Sequence, residues 1–100
     1  MYFLILANDK PGALELRLKH RQLHLDYWTG LPGVVKVAGA QLSDDTSAAT
    51  PKGSAFLIEA ESLEVAKALL AADPFTIEGI FGDDVRIEAY RPAIGDWKPV

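Results

Sequence analysis

The spacing of apolar residues changes several times along this chain, and each change predicts an element. Tyr2–Ala7 is a continuous apolar run closed by the turn cluster Asn8-Asp9-Lys10-Pro11-Gly12, the pattern of a strand buried on both faces. From Ala13 to Thr29 the composition turns to Leu, Glu, Arg, Lys and Gln. Residues 14–18 alternate like a strand, but length and helix-forming composition predict a helix that stops at Gly30, with Pro32 beyond it. On a helical wheel Leu14, Leu18, Leu25 and Trp28 form one apolar stripe, and Leu16, Leu23 and Tyr27 form a second on the opposite side. Two stripes predict that this helix meets another surface besides its sheet, such as a second subunit. Arg17, Arg21 and His24 lie at i, i+4 and i+7 along one edge of the first stripe, where a helix borders a cavity.

Val34–Leu42 is β-branched at its start and predicts a second strand, with Gly39 marking a bulge or a close backbone approach. Ser43–Gly53 is polar and rich in small residues, a mobile loop by composition, and Ser54–Glu61 is the third strand. Ser62 is placed to cap a helix over Leu63–Ala72. Asp73-Pro74 then offers an N-cap and an N1 proline for a short turn through Phe75–Ile80, ended by Gly82. Asp84–Tyr90 alternates as a fourth strand, and Arg91–Val100 reads as an irregular tail.

The resulting order, β-α-β-β-α-β, has no repeat and no linker, so residues 1–100 are expected to form a single domain. The fold class it predicts is α+β: a ferredoxin-like four-stranded antiparallel sheet with both helices on one face. Alternation assigns Phe56, Ile58 and Ile87 to the other, uncovered face, which is too apolar for water. Two such sheets packed face to face would form a homodimer, a dimeric α/β barrel.

Composition narrows the chemistry. With no cysteine, disulfides, thiolate zinc sites and cysteine nucleophiles are excluded. A net charge of −4 opposes nucleic acid and anionic lipid as partners. The apolar opening is short and lacks a basic flank, so it reads as a strand rather than a leader, and no run approaches the roughly 20 residues that span a bilayer. The cytoplasm is the expected location. Lys52–Glu59 tracks the RNA-recognition RNP1 pattern only superficially: Ser54 and Glu59 stand where stacking aromatics are needed.

The chain has two histidines, His20 and His24. An imidazole held by a carboxylate is the usual acid/base device near neutral pH, and His24 with Asp73 is the candidate pair, since both would project toward one edge of the sheet. Asp73 as an N-cap would keep a second oxygen free for this role. His20 and His24 are spaced i, i+4 as a metal pair would be, but no Glu-x-x-His pattern accompanies them, so no metal is expected. Arg17 and Arg21 could neutralise an anionic substrate beside His24, or could pair with surface carboxylates. Ser54 could present a hydroxyl, and Phe75 and Trp28 could wall the pocket.

Taken together, Arg17, Arg21-x-x-His24-Leu25, Ala38-Gly39, Gly53-Ser54, Glu61-Ser-x-Glu64, Ala72-Asp73-Pro74-Phe75 and Gly79-Ile-Phe81 resemble the YciI-like (YCII-related domain) family, from the first strand to Tyr90. The resemblance implies a dimeric α/β barrel and an active site built on a His/Asp pair, carried here by His24 and Asp73. One branch of the family looks like dehydrochlorinases that remove HCl from chlorinated hydroxyhydroquinones without a cofactor. This chain departs from many members in its polar loop after the second strand and in the tail Trp97-Lys98-Pro99-Val100, so the substrate does not carry over. The expectation is a cofactor-independent enzyme of proton abstraction or elimination on a small molecule. In it His24 is base and acid, Asp73 its orienter, Arg17 or Ser54 the anchor, and Phe75 and Trp28 the walls. The alternative is a non-catalytic dimer that binds a small ligand in the same pocket.

Overall fold

The computed structural model describes residues 1–97, in which the elements run β1 (Tyr2–Asp9), α1 (Leu14–Thr29), β2 (Val35–Leu42), β3 (Pro51–Glu59), α2 (Leu63–Ala71), α3 (Pro74–Ile77) and β4 (Phe81–Tyr90). The four strands form one antiparallel sheet in the order β2-β3-β1-β4, so β1 and β3 are central and β2 and β4 are the edges. This is the ferredoxin-like α+β arrangement predicted from the element order. Pairing of Phe3 with Ile58, Ile5 with Phe56 and Ala7 with Ser54 sets all six side chains on one face, because side chains alternate along a strand. That face packs against the helices. Phe3, Ile5, Phe56, Ile58, Ala66, Leu70, Phe75, Ile80 and Phe81 close the core there. Full burial of a side chain such as Ile5 or Ile58 contributes about 1.5–3 kcal/mol.

The alternation assigned Phe56, Ile58 and Ile87 to the uncovered face, and the structure reverses that assignment. All three point toward the helices, since β1 carries Phe3, Ile5 and Ala7 inward and the register with β3 and β4 follows from it. The open face instead presents Leu4, Leu6, Val37, Ala55 and Leu57. It is still apolar, with Val37 65% exposed and Leu6 39%.

The helical wheel also needs correcting. Leu16, Leu18 and Leu23 are exposed, and the arc of α1 that faces the protein is Arg17, His24 and Trp28, following the buried Ala13 that precedes the helix, with Leu14, His20, Leu25 and Tyr27 half-buried beside it. The buried stripe therefore runs between the two leucine stripes and is centred on polar residues. A helix can bury Arg and His only if their partners are waiting on the other side, and the site described below supplies them.

Element boundaries moved at polar residues. β3 starts at Pro51 rather than Ser54 because residues 51–53 continue the pairing with β2, and a proline is tolerated at a strand's first position. It stops at Glu59, where Ala60 bonds back to the Met1 carbonyl. β4 starts at Phe81, not Asp84, because Phe81 pairs with Asp9 beyond an irregularity in the β1–β4 ladder. α3 ends before Gly79, whose φ of +69° makes the turn into β4, and Gly82 lies within the strand instead of ending the turn. The polar segment after β2 is closed by its own hydrogen bonds, Ser43 N–H to Thr50 and Thr46 N–H to Asp44. The tail is irregular through Trp97, which packs edge-on against Tyr2, and residues 98–100 lie outside the described part.

Candidate functional site

Asp73 is the hub. It leaves α2 in an extended conformation (φ −62°, ψ 130°), the geometry favoured before a proline, and caps α3 by accepting from the Phe75 N–H at 2.9 Å. This orientation turns its carboxylate toward α1. There His24 Nδ1 lies 2.8 Å from Oδ1 and 2.9 Å from Oδ2, and Trp28 Nε1–H donates to Oδ2 at 2.8 Å. Three separate N–H groups thus converge on a side chain with no exposed surface. His24 and Trp28 are spaced i, i+4 and so occupy one face of α1.

A carboxylate that already accepts from two N–H groups presents only acceptors to the imidazole. His24 Nδ1 must therefore carry a proton and donate it. In the neutral ring this leaves Nε2 bare, with its lone pair available as a base. The ring is held flat by Phe75, stacked at 3.9 Å between centroids and 5° from parallel, and Phe56 tilts against it at 6.0 Å. A hydrogen bond at one edge and a stacked ring on a face leave the imidazole little freedom to turn.

Arg17 lies two turns earlier on the same face. Its Nε donates to Asp9 Oδ2 at 2.7 Å, and its Nη2 donates to Asp9 Oδ1 at 3.0 Å and to Ser54 Oγ at 2.8 Å. Its guanidinium lies 4.6 Å from the centre of the Phe75 ring, a cation–π contact. Asp9 was read only as part of a turn. It follows Phe3, Ile5 and Ala7 at every second position of β1, but the sequence does not say which face that set takes, and the structure turns it to the helix-covered one. Gly53 completes this corner. A Cβ there would meet the Ala7 carbonyl at 2.6 Å and Gln41 Nε2 at 2.8 Å, and Gln41 uses that space to donate to the Ser54 carbonyl.

The site residues expected from the sequence fall into one neighbourhood, arranged as two contact sets. His24, Asp73, Trp28 and Phe75 form one contact set, while Arg17 and Ser54 form a second with Asp9. Arg17 is buried in an ion pair, so its charge is already answered from within the protein. Trp28 is more than a wall, since its indole N–H holds Asp73. His20 turns away from His24 toward Glu78, with Nε2 at 3.8 Å from the carboxylate. Among the described residues no three His, Asp or Glu side chains gather as metal ligands. Tyr27, which sequence reasoning assigned only to an apolar stripe, donates from its hydroxyl to the Leu69 carbonyl at 2.6 Å and ties α1 to α2. Burial, and secondarily the negative charge of Asp73, push its phenol above the ordinary range.

Both contact sets open on one cavity of about 280 Å³ between α1 and strands β3 and β2. Its inner wall is Trp28, Phe56 and Phe75, with His24 and Ser54 beside them. The Ala38-Gly39-Ala40 run of β2 continues the sheet side next to Phe56 and Ser54, and the exposed Arg21 of α1 stands at the mouth. The arrangement can place a base, the Nε2 of His24, against a small molecule while water is largely kept from the Asp73 side.

The profile of the YCII-related domain matches residues 1–89. Protein YciI of Escherichia coli is 40% identical over 96 residues, covering 91% of this chain and 97% of that protein. An uncharacterized protein of Haemophilus influenzae is 33% identical over 88 residues, covering 83% of this chain and 90% of the other. Among solved structures, 5-chloro-2-hydroxyhydroquinone dehydrochlorinase (TftG) of Burkholderia phenoliruptrix, in complex with 2,5-dihydroxybenzoquinone, superposes with a TM-score of 0.85 at 32% identity. The match covers 93% of this chain and 96% of that one.

Proposed function

The chain belongs to the YCII-related domain family, and from that premise we propose that it is a small-molecule enzyme of the elimination type, with His24 as general base and acid and Asp73 as its orienter. The observation that carries this reading is the His24 Nδ1 contact to both oxygens of the buried Asp73 carboxylate, which leaves Nε2 as the free ring nitrogen beside a cavity. Elimination of HX requires removal of one proton and stabilisation of charge as the leaving group departs. A positioned imidazole serves the first need and can return the proton afterwards. No cofactor enters this scheme. The likeness to TftG, a dehydrochlorinase by name, supports an elimination over other acid/base reactions.

We also propose a homodimer, formed by two copies that pack their open sheet faces together. The exposed apolar side chains of Leu6 and Val37 support it. Among the described residues no helix is long and apolar enough to cross a membrane. We place the protein in the cytoplasm, a reducing compartment suited to a cysteine-free chain.

The test is turnover of a chlorinated hydroxyhydroquinone, read as chloride release, by the wild type and by His24→Asn and Asp73→Asn. Each variant is expected to lose roughly 10²–10⁴-fold in kcat, the usual worth of a positioned acid/base group. Full turnover by both variants would contradict the mechanism and make the cavity a binding site rather than a catalytic one.

A further inference from the structure

We infer that the cavity selects a planar molecule that is negatively charged at neutral pH, and that Arg21, rather than Arg17, receives the negative group. The inference rests on the catalytic reading of the cavity and adds to it the class of ligand.

The charges around the cavity can be assigned one by one. Arg17 is bound through Nε and Nη2 to Asp9, at 2.7 and 3.0 Å, and its side chain is 6% exposed. Its charge is cancelled and most of its donor edge is occupied. Asp73 sits behind His24 with no exposed surface, its oxygens taken by His24, Trp28 and the Phe75 N–H. It does not line the cavity, and neither does any other carboxylate among the described residues. Asp26, on the same helix, is exposed and accepts a hydrogen bond from Gln22. Arg21 does line the cavity, is exposed, and has no hydrogen-bond or ion-pair partner among the described residues. A chain of net charge −4 thus presents an unanswered guanidinium at the mouth of a cleft with apolar walls, and such a cleft concentrates the field that draws in an anion.

Spacing joins this charge to the base. Arg21 and His24 are i, i+3, about 4.5 Å apart along the helix axis, so one small molecule can meet both. The shape of the cavity favours a flat one. Pairing with Phe56 and Ser54 sets Ala38 and Ala40 on the helix-covered side, yet both are exposed and line the cavity. With Gly39 between them, β2 adds methyl groups and bare backbone to the sheet side of the cavity beside the Phe56 ring, and Trp28 lines it from α1. A slot of about 280 Å³ lies near the small end of ligand sites and suits a single substituted ring. Phenolates, enolates and carboxylates on such a ring share the required chemistry.

Titration calorimetry on the full chain tests this with 2,5-dihydroxybenzoquinone, a vinylogous acid ionised at neutral pH, and with neutral 2,5-dimethoxybenzoquinone. The wild type is expected to prefer the ionised quinone, and rising salt should erode that preference. Arg21→Gln should weaken binding of the ionised quinone about tenfold or more, as loss of a charge-assisted hydrogen bond does, and leave the neutral one unchanged. Arg21→Lys should recover part of the loss. Equal affinity for the two quinones, no binding of the ionised one, or undiminished binding by Arg21→Gln would each overturn the assignment. Turnover plays no part in these measurements. A failed anion preference leaves the role of His24 to its own variants, and a catalytically silent protein that still selects the ionised quinone keeps this inference standing.

Discussion

A carboxylate with no exposed surface is costly unless its lone pairs find donors, and Asp73 meets three. The donors differ in what they do. The Phe75 N–H fixes the carboxylate to its own backbone, Trp28 anchors one oxygen, and His24 shares both. Removing one neutral donor while keeping its ring is therefore a mild change, and removing the acceptor is a severe one. Trp28→Phe keeps most of the packing against Tyr27 and Phe56, and is expected to lower stability by about 1–2 kcal/mol in chemical denaturation. Asp73→Ala strands the indole, the imidazole and a backbone N–H, and should cost about 3–5 kcal/mol. Equal losses for the two variants would mean that Asp73 is not the centre of this network.

At the scale of elements, the site depends on where helix and strand ends fall. Asp73 reaches α1 because Pro74 holds the preceding residue extended, which ends α2 and aims the carboxylate before α3 begins. That much was legible, since Asp-Pro is both an N-cap signal and a breaker. The order of strands and helices was legible too, from two periods of hydrophobicity. The wheel of α1 misled because it sought an apolar face, whereas this helix buries Arg17 and His24 and leaves Leu16, Leu18 and Leu23 exposed. A pattern of apolar residues locates a core, but it cannot locate a buried polar face whose partners lie 37 and 49 residues away. The inward face of the sheet was misjudged for a related reason. In β1 every residue from Tyr2 to Ala7 is apolar, so its sequence gives no phase, and the phase is set only by which residues meet α1.

At the scale of the whole molecule, the helices cover one face of the sheet and the other is left with Leu4, Leu6, Val37 and Leu57. Burying such a patch drives association, and the proposed second copy would bury it symmetrically. Sedimentation equilibrium is expected to give a dimer at micromolar concentration, and Leu6→Glu to give a folded monomer. A wild type that is monomeric throughout would contradict face-to-face packing. The proposed function, however, turns on a single proton within one chain. The most direct measurement is the tautomer of neutral His24, read from its two ring nitrogens by long-range ¹H–¹⁵N NMR in the wild type and in Asp73→Asn. The account predicts a proton on Nδ1 and a bare Nε2 in the wild type, with that preference weakened in the variant. A wild-type ring protonated on Nε2, with no change when Asp73 is replaced, would show that Asp73 does not hold His24 as a base.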